Sequence, residues 1–225
     1  MAYGMLKRSS FPPRRVALRA GLCLAVVAAL VLSIRPPAPA VIAFGPRQEV
    51  HTTTPILGVH TRLTDEVEPW KIQYTLRLVR QMGAPWIVEF FPWAYYQAED
   101  GSVAWDHPDQ VVGHAEANGL RVIARLGYTP EWARPADTPL TYLDADAYDD
   151  FAAFAAAFAA RYRGRVAALI VGNEPNLSFE WCYRVTTPED YVELLRAVYP
   201  AVKAANPDML VLAGALAPNL EPTGS

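Results

Sequence analysis

From about residue 55 the chain alternates between two hydrophobic rhythms. Ile56–His60, Trp86–Phe91, Leu120–Leu126, Val166–Gly172 and Met209–Ala215 are short, mostly apolar runs, as in strands buried on both faces. Between these runs apolar positions recur three and four apart, which places them on one stripe of a helix. In Pro69–Met82 that stripe is Ile72, Leu76, Val79 and Met82, and Gly83 stops it. Asp106 is placed to cap a second helix with Pro108 in its first turn, Val111, Val112 and Ala115 inward, and Gly119 at its end. Asp144 is placed to cap a third, with Tyr148, Phe151, Phe154 or Ala155, Phe158 and Tyr162 on one face. Acidic residues sit in its first turns and arginines at its end, as the helix dipole favours. Thr187-Pro188-Glu189-Asp190 opens a fourth, with Tyr191, Leu194, Leu195, Val198 and Val202 inward. Pro200 lies inside it and is expected to kink it or end it early.

Strands alternating with helices specify a parallel sheet covered by helices. No glycine-rich phosphate turn follows the first strand, which disfavours an open dinucleotide-binding sheet. The expectation is an α/β fold of the (β/α)8 TIM-barrel type, of which this sequence supplies about five strands and four helices.

The N-terminus follows another pattern. Lys7, Arg8, Arg14, Arg15 and Arg19 precede the apolar stretch Ala20–Ile34. A basic flank before such a stretch reads as a signal peptide or a membrane anchor, with the bulk of the chain exported. Ala38 and Ala40 offer a small-residue cleavage pattern, and the neighbouring prolines stiffen the chain. The expected organisation is a signal peptide or anchor over 1–35, a Pro-rich linker over 36–54, and a barrel domain over 55–225.

Composition narrows the function. The chain has 225 residues, 52% hydrophobic and 19% charged, with net charge -3. That supports a sizeable core and gives no basic surface for nucleic acid. Cys23 and Cys182 are not expected to pair, because Cys23 lies in the apolar N-terminal stretch. The four histidines are scattered, so no metal and no cofactor is expected. Aromatic residues make up 11% of the chain, enough both to fill a core and to line a cleft for sugar rings.

Barrels of this kind gather their chemistry where strands run into the following loops. At those points the sequence places His60, Glu89, Trp93, Tyr95, Tyr96, Tyr128, Trp132, Asn173, Glu174 and Trp181. Pro175 cannot continue a strand ladder and favours an extended Glu174 before it, so a carboxylate stands at the mouth of the barrel. Such a carboxylate is fit to act as a general acid, and Asn173 beside it can bind a substrate hydroxyl. Arg125, in the third strand, is a candidate partner for Glu89 or Glu174, either as a structural ion pair or in catalysis. Glu131 reads as a solvated surface residue, and the glycosylation pattern at Asn176-Leu177-Ser178 as chance.

"VGNEPNLSFEW" resembles the Asn-Glu-Pro signature of clan A glycoside hydrolases, the retaining barrel enzymes such as families 5 and 39. "FFPWAYYQAEDGSVAWDHPDQVVGHAEANGLRVIARLGYTPEWA", "FAARYRGRVAALIVGNEPN" and "TPEDYVELLRAVYPAVKAANPDMLVLAGALA" are similar to the neighbouring barrel units, so the likeness runs over about residues 55 to 218. The resemblance implies a retaining O-glycosyl hydrolase of poly- or oligosaccharides, with Glu174 as acid/base and Asn173 binding the sugar next to the scissile bond. His60, Glu89, Trp93, Tyr128, Trp132 and Trp181 are the further expected substrate-binding residues. The sequence departs from the pattern at Gly172, where a bulky residue is common, at Glu89, where Arg is common, and at Gln97, where Glu is common. The nucleophilic Glu of these enzymes follows their seventh strand and is expected beyond residue 225. The competing expectation is a non-catalytic, envelope-associated carbohydrate-binding protein or an inactive fragment.

Overall fold

The computed structural model describes residues 13–34, 56–185 and 187–218. Helix α1 (Pro13–Ile34) stands as its own unit. Its 22 residues span about 33 Å, and Val16–Ile34 is long and apolar enough to cross a membrane. The Lys7 and Arg8 flank, the Ala38 and Ala40 pattern and the 36–54 linker lie outside the described residues.

The second unit is a parallel sheet with its strands in chain order. β1 (Gly58–His60) leads through α2 (Pro69–Gln81) to β2 (Trp86–Pro92), and a single turn, α3 (Trp93–Tyr96), and α4 (Asp106–Ala117) lead to β3 (Arg121–Gly127). α5 (Tyr148–Arg161), β4 (Val166–Val171), α6 (Pro188–Ala205) and β5 (Leu210–Ala213) complete it. Every neighbouring pair of strands is parallel. The βα repeat expected from the hydrophobic pattern is therefore present, in the order that five consecutive units of a barrel take.

Register divides the strand residues between two faces. Glu89 pairs with Ala124 and Ala124 with Leu169, while Phe90 pairs with Arg125 and Arg125 with Ile170. Paired residues of parallel neighbours share a face. Ile87, Phe91, Val122, Ala124, Leu126, Leu169 and Val171 form the buried layer against the helices. The other face carries Val88, Phe90, Ile123, Arg125 and Ile170, all half-buried.

The helix side is dense with rings. Phe91 meets Phe158 at 5.1 Å, Trp105 stacks on Phe154 at 6.3 Å, and Phe158 meets Tyr162 at 4.6 Å. The Tyr162 hydroxyl donates to Asp109 Oδ1 at 2.9 Å, and Arg161 donates to the same carboxylate, which ties α5 to α4. Asn206, just past α6, is buried and donates to Ala159 O at 3.0 Å.

Helix entries differ from the capping pattern in two places. Asp106 lies inside the first turn of α4, with Trp105 at the cap position and no side-chain cap bond. Asp144 precedes a short 3-10 turn, Ala145–Ala147, and α5 begins only at Tyr148. Both carboxylates still lie where the helix dipole favours negative charge. Thr187 does cap α6, accepting from Asp190 N at 3.2 Å. Pro200 does not end α6, which continues to Ala205. Arg196 and Pro200 are both exposed, so the carbonyl deprived of its donor faces solvent and the break costs little.

Candidate active site

The ladder of β4 ends at Val171, and three residues later comes Glu174. Glu174 thus stands on the bend that follows the strand, where the Asn-Glu-Pro pattern placed it on a rigid strand end. Loop contacts supply the rigidity instead. Gly172 N still donates to Leu126 O at 2.9 Å, and Gly172 turns the chain at φ 73, a conformation that strains any residue with a Cβ. Leu177 N donates to Glu174 O at 2.9 Å. Trp181 Nε1 donates to Pro175 O at 2.8 Å. The Asn176 side chain donates to Ala217 O at 2.9 Å and accepts from Ala217 N at 2.8 Å, which gives that amide a structural task.

The end of β5 closes against the same bend. A Cβ on Gly214 would lie 2.2 Å from Asn173 O and 3.0 Å from Pro175 Cδ, so only glycine fits there. Tyr191 fixes the approach, donating to Val171 O at 2.7 Å and accepting from Gly214 N at 2.6 Å.

Beside this bend lies a cavity of about 300 Å³, at the lower end of the usual ligand-pocket range. Asn173, Glu180, Arg125 and Tyr128 bring polar groups to it, and Phe90, Phe179 and Trp181 bring rings. Asn173 Nδ2 donates to Glu180 Oε1 at 2.6 Å and to Glu174 Oε2 at 3.4 Å. Arg125 lies over the Phe90 ring at 4.4 Å, and its Nε is buried without a hydrogen-bond partner among the described residues. Burial holds its guanidinium below the ordinary arginine value, while Glu180 pulls it back up ahead of Tyr128, Glu89 and Glu174.

The expected rim residues divide. His60 pairs with Val88, which puts it on the cavity's face of the sheet, and it is exposed. Tyr128 stands at φ 59, with its ring edge-on to Phe90 at 4.8 Å. Trp181 is 7% exposed and lines the cavity. Trp132 is half-buried, donates to Gln97 O at 3.2 Å and packs on Trp93 at 5.3 Å, as a wedge between loops. Tyr95 is exposed, but Tyr96 is buried and bonds His107 Nδ1 at 3.2 Å.

Two expectations need correction. Trp93 is 0% exposed, because α3 turns it inward against Phe151 and Phe154. No face of its ring is open to a ligand. Glu89 is likewise 0% exposed and lies on the helix side of the sheet. Its Oε1 accepts from Leu63 N at 2.9 Å and Thr64 Oγ1 at 3.0 Å, which fastens the β1–α2 loop. Arg125 and Glu89 are on opposite faces, and Arg125 makes no ion pair among the described residues. Burial, and then the Glu89 charge, push the Tyr96 hydroxyl well above its ordinary value.

Glu180 was not legible as a site residue. It lies six residues past Glu174 in a 3-10 turn, Ser178–Trp181, and no periodicity marks it.

The model of the family described as Cellulase (glycosyl hydrolase family 5) matches residues 49–223. The chain belongs to glycosyl hydrolase family 5. Solved structures agree with the family 5 fold. A family 39 glycoside hydrolase from the gut symbiont Bacteroides cellulosilyticus WH2 is similar at 26% identity and a TM-score of 0.58, over 70% of this chain and 31% of that one. The GH5_18 enzyme from Streptomyces cattleya, solved with GlcNAc, is similar at 18% identity and 0.56, over 69% and 43%. An exo-beta-1,4-mannosidase from Opitutaceae bacterium strain TAV5 is similar at 20% and 0.56, over 70% and 31%. The family 5 chain therefore spans 31% to 43% of the length of these three proteins. No curated protein matches its sequence.

Proposed function

We propose that the protein carrying this domain is an exported, retaining O-glycosyl hydrolase of poly- or oligosaccharides, with Glu174 as its acid/base. One observation carries the reading: the Asn173-Glu174 pair stands past the C-terminal end of β4, with Asn173 lining a cavity, in a family 5 chain. In the retaining mechanism an acid on the leaving-group side protonates the glycosidic oxygen while a second carboxylate, roughly 5–5.5 Å away, attacks the sugar. Glu174 takes the first role and then, as the conjugate base, activates the water that releases the glycosyl-enzyme. Asn173 binds the sugar hydroxyl beside the scissile bond. His60, Tyr128 and Trp181 contact the sugar. The attacking carboxylate is expected from a seventh strand, beyond residue 225. Helix α1 serves as a signal or an anchor, so the protein is secreted or membrane-bound with the barrel outside the cytoplasm.

The coding sequence past residue 225 gives the first test: the absence of a Glu after a seventh strand leaves only carbohydrate binding. In the full-length protein, Glu174→Gln should lower turnover of natural glycans by roughly 10²–10⁴. An aryl glycoside with a good leaving group needs little protonation, so the phenol should appear as a burst followed by a slow steady state. Azide, which attacks without a base, should restore part of that steady state. Activity on natural glycans within a fewfold of wild type removes Glu174 from the acid/base role.

A further inference from the structure

The amide of Asn173 sits between two carboxylates, at 2.6 Å from Glu180 and 3.4 Å from Glu174. The NH₂ end of the amide donates to both carboxyl groups, and the nearer contact, to Glu180, sets its direction. Its Oδ1 is then turned away, and no donor reaches it among the described residues.

The backbone around Glu180 is built to aim that carboxylate back at the bend. Glu180 N donates to Leu177 O at 3.2 Å, and Tyr183 N donates to Ser178 O at 2.7 Å. Cys182 and Tyr183 follow in the left-handed region, at φ 59 and 57. Such conformations are costly for residues with side chains and persist only where the surroundings hold them. Here Arg184 does so, donating to Trp181 O at 3.1 Å and to Leu143 O. Asn173 and Glu180 line the same cavity. The shorter of the two amide contacts goes to Glu180, and a charge-assisted bond of that length is among the strong ones.

We propose that Glu180 is a positioning residue: it fixes the Asn173 amide so that Oδ1 faces the cavity and accepts a hydrogen bond from the sugar hydroxyl beside the scissile bond. This rests on the hydrolase reading above. Glu180 itself need not touch the sugar, because its effect passes through Asn173. Hydrogen bonds to that hydroxyl strengthen in the transition state, so the loss should fall on kcat more than on KM.

A double-mutant cycle in the full-length protein tests this. Glu180→Gln, of the same shape, should lower kcat/KM for an aryl glycoside on the order of tenfold, and Glu180→Ala about a hundredfold. In an Asn173→Ala background either change should cost less than about twofold. Equal losses in both backgrounds, or wild-type kinetics in Glu180→Ala, overturn the proposal. Should Glu180→Ala fail to fold, the isosteric Gln variant carries the cycle. The side-chain amide protons of Asn173, read by NMR in asparagine-labelled protein, decide the contact without turnover. One proton should lie downfield in the wild type and move upfield in Glu180→Gln, and an unmoved signal overturns the proposal. If the wild type hydrolyses no glycoside while the amide signal responds as expected, the hydrolase reading fails and the Glu180–Asn173 contact stands.

Discussion

The helix side of the sheet and the loop past β4 carry glutamates put to different uses. On the helix side Glu89 is sealed among apolar residues and holds backbone and hydroxyl donors of the β1–α2 loop. Past the end of β4, Glu174 and Glu180 are half-buried and share the amide of Asn173, which lines a cavity together with Glu180. A fully buried carboxylate is retained for the donors that it satisfies, whereas one at a loop keeps access to a ligand. The aromatic residues divide in the same way. Trp93, Phe154 and Phe158 serve packing, while Tyr128 and Phe179 remain open to the cavity. Residue type alone therefore does not identify a site in this fold.

Substitutions on each side should separate stability from turnover. The largest stability effect is expected from Phe154→Ala, at the centre of the ring layer. It should destabilise by about 3–5 kcal/mol, read by denaturant unfolding, with the kcat of the folded fraction nearly unchanged. A comparable loss of kcat at low temperature would join the two regions that the comparison separates. Gly214→Ala should act in the opposite sense. Its Cβ must displace the Asn173 backbone, at a stability cost of about 1–3 kcal/mol but with activity lowered by up to ~100-fold. Glu89→Gln should cost about 1–3 kcal/mol and leave KM alone. A raised KM would return Glu89 to the substrate.

The smallest effect is expected at the α4–α5 tie. Hydrogen bonds from Arg161 hold the Asp109 carboxyl below its ordinary 3.8, and the Tyr162 hydroxyl adds to this. A depressed folded-state value gives stability that is fully present above about pH 4–5 and lost as pH falls through the folded value. The pair is partly exposed, so Asp109→Asn should cost less than about 1 kcal/mol at neutral pH. The difference between wild type and variant should shrink below pH 4, and a difference that is flat from pH 7 to pH 2 would show that the carboxylate's charge is not what ties the helices.

Sequence by itself determined the succession of elements. Apolar runs and helical stripes specified five strands and the helices between them, because burial periodicity is a local property of the chain. It also brought Asn173 and Glu174 to the C-terminal end of the fourth strand, because Pro175 cannot extend a strand, although β4 stops at Val171 and a bend carries them. Three features came only from tertiary structure. Register put Glu89 against the helices, since a strand residue's face acquires meaning only once its neighbours are paired. The α3 turn carried Trp93 from a strand end into the core, because the space for its ring is made by Phe151 and Phe154, more than fifty residues later in the chain. Glu180 met Asn173 through a tight turn whose two left-handed residues, neither of them glycine, have no local sequence signal and are held in place by Arg184 reaching across to Leu143.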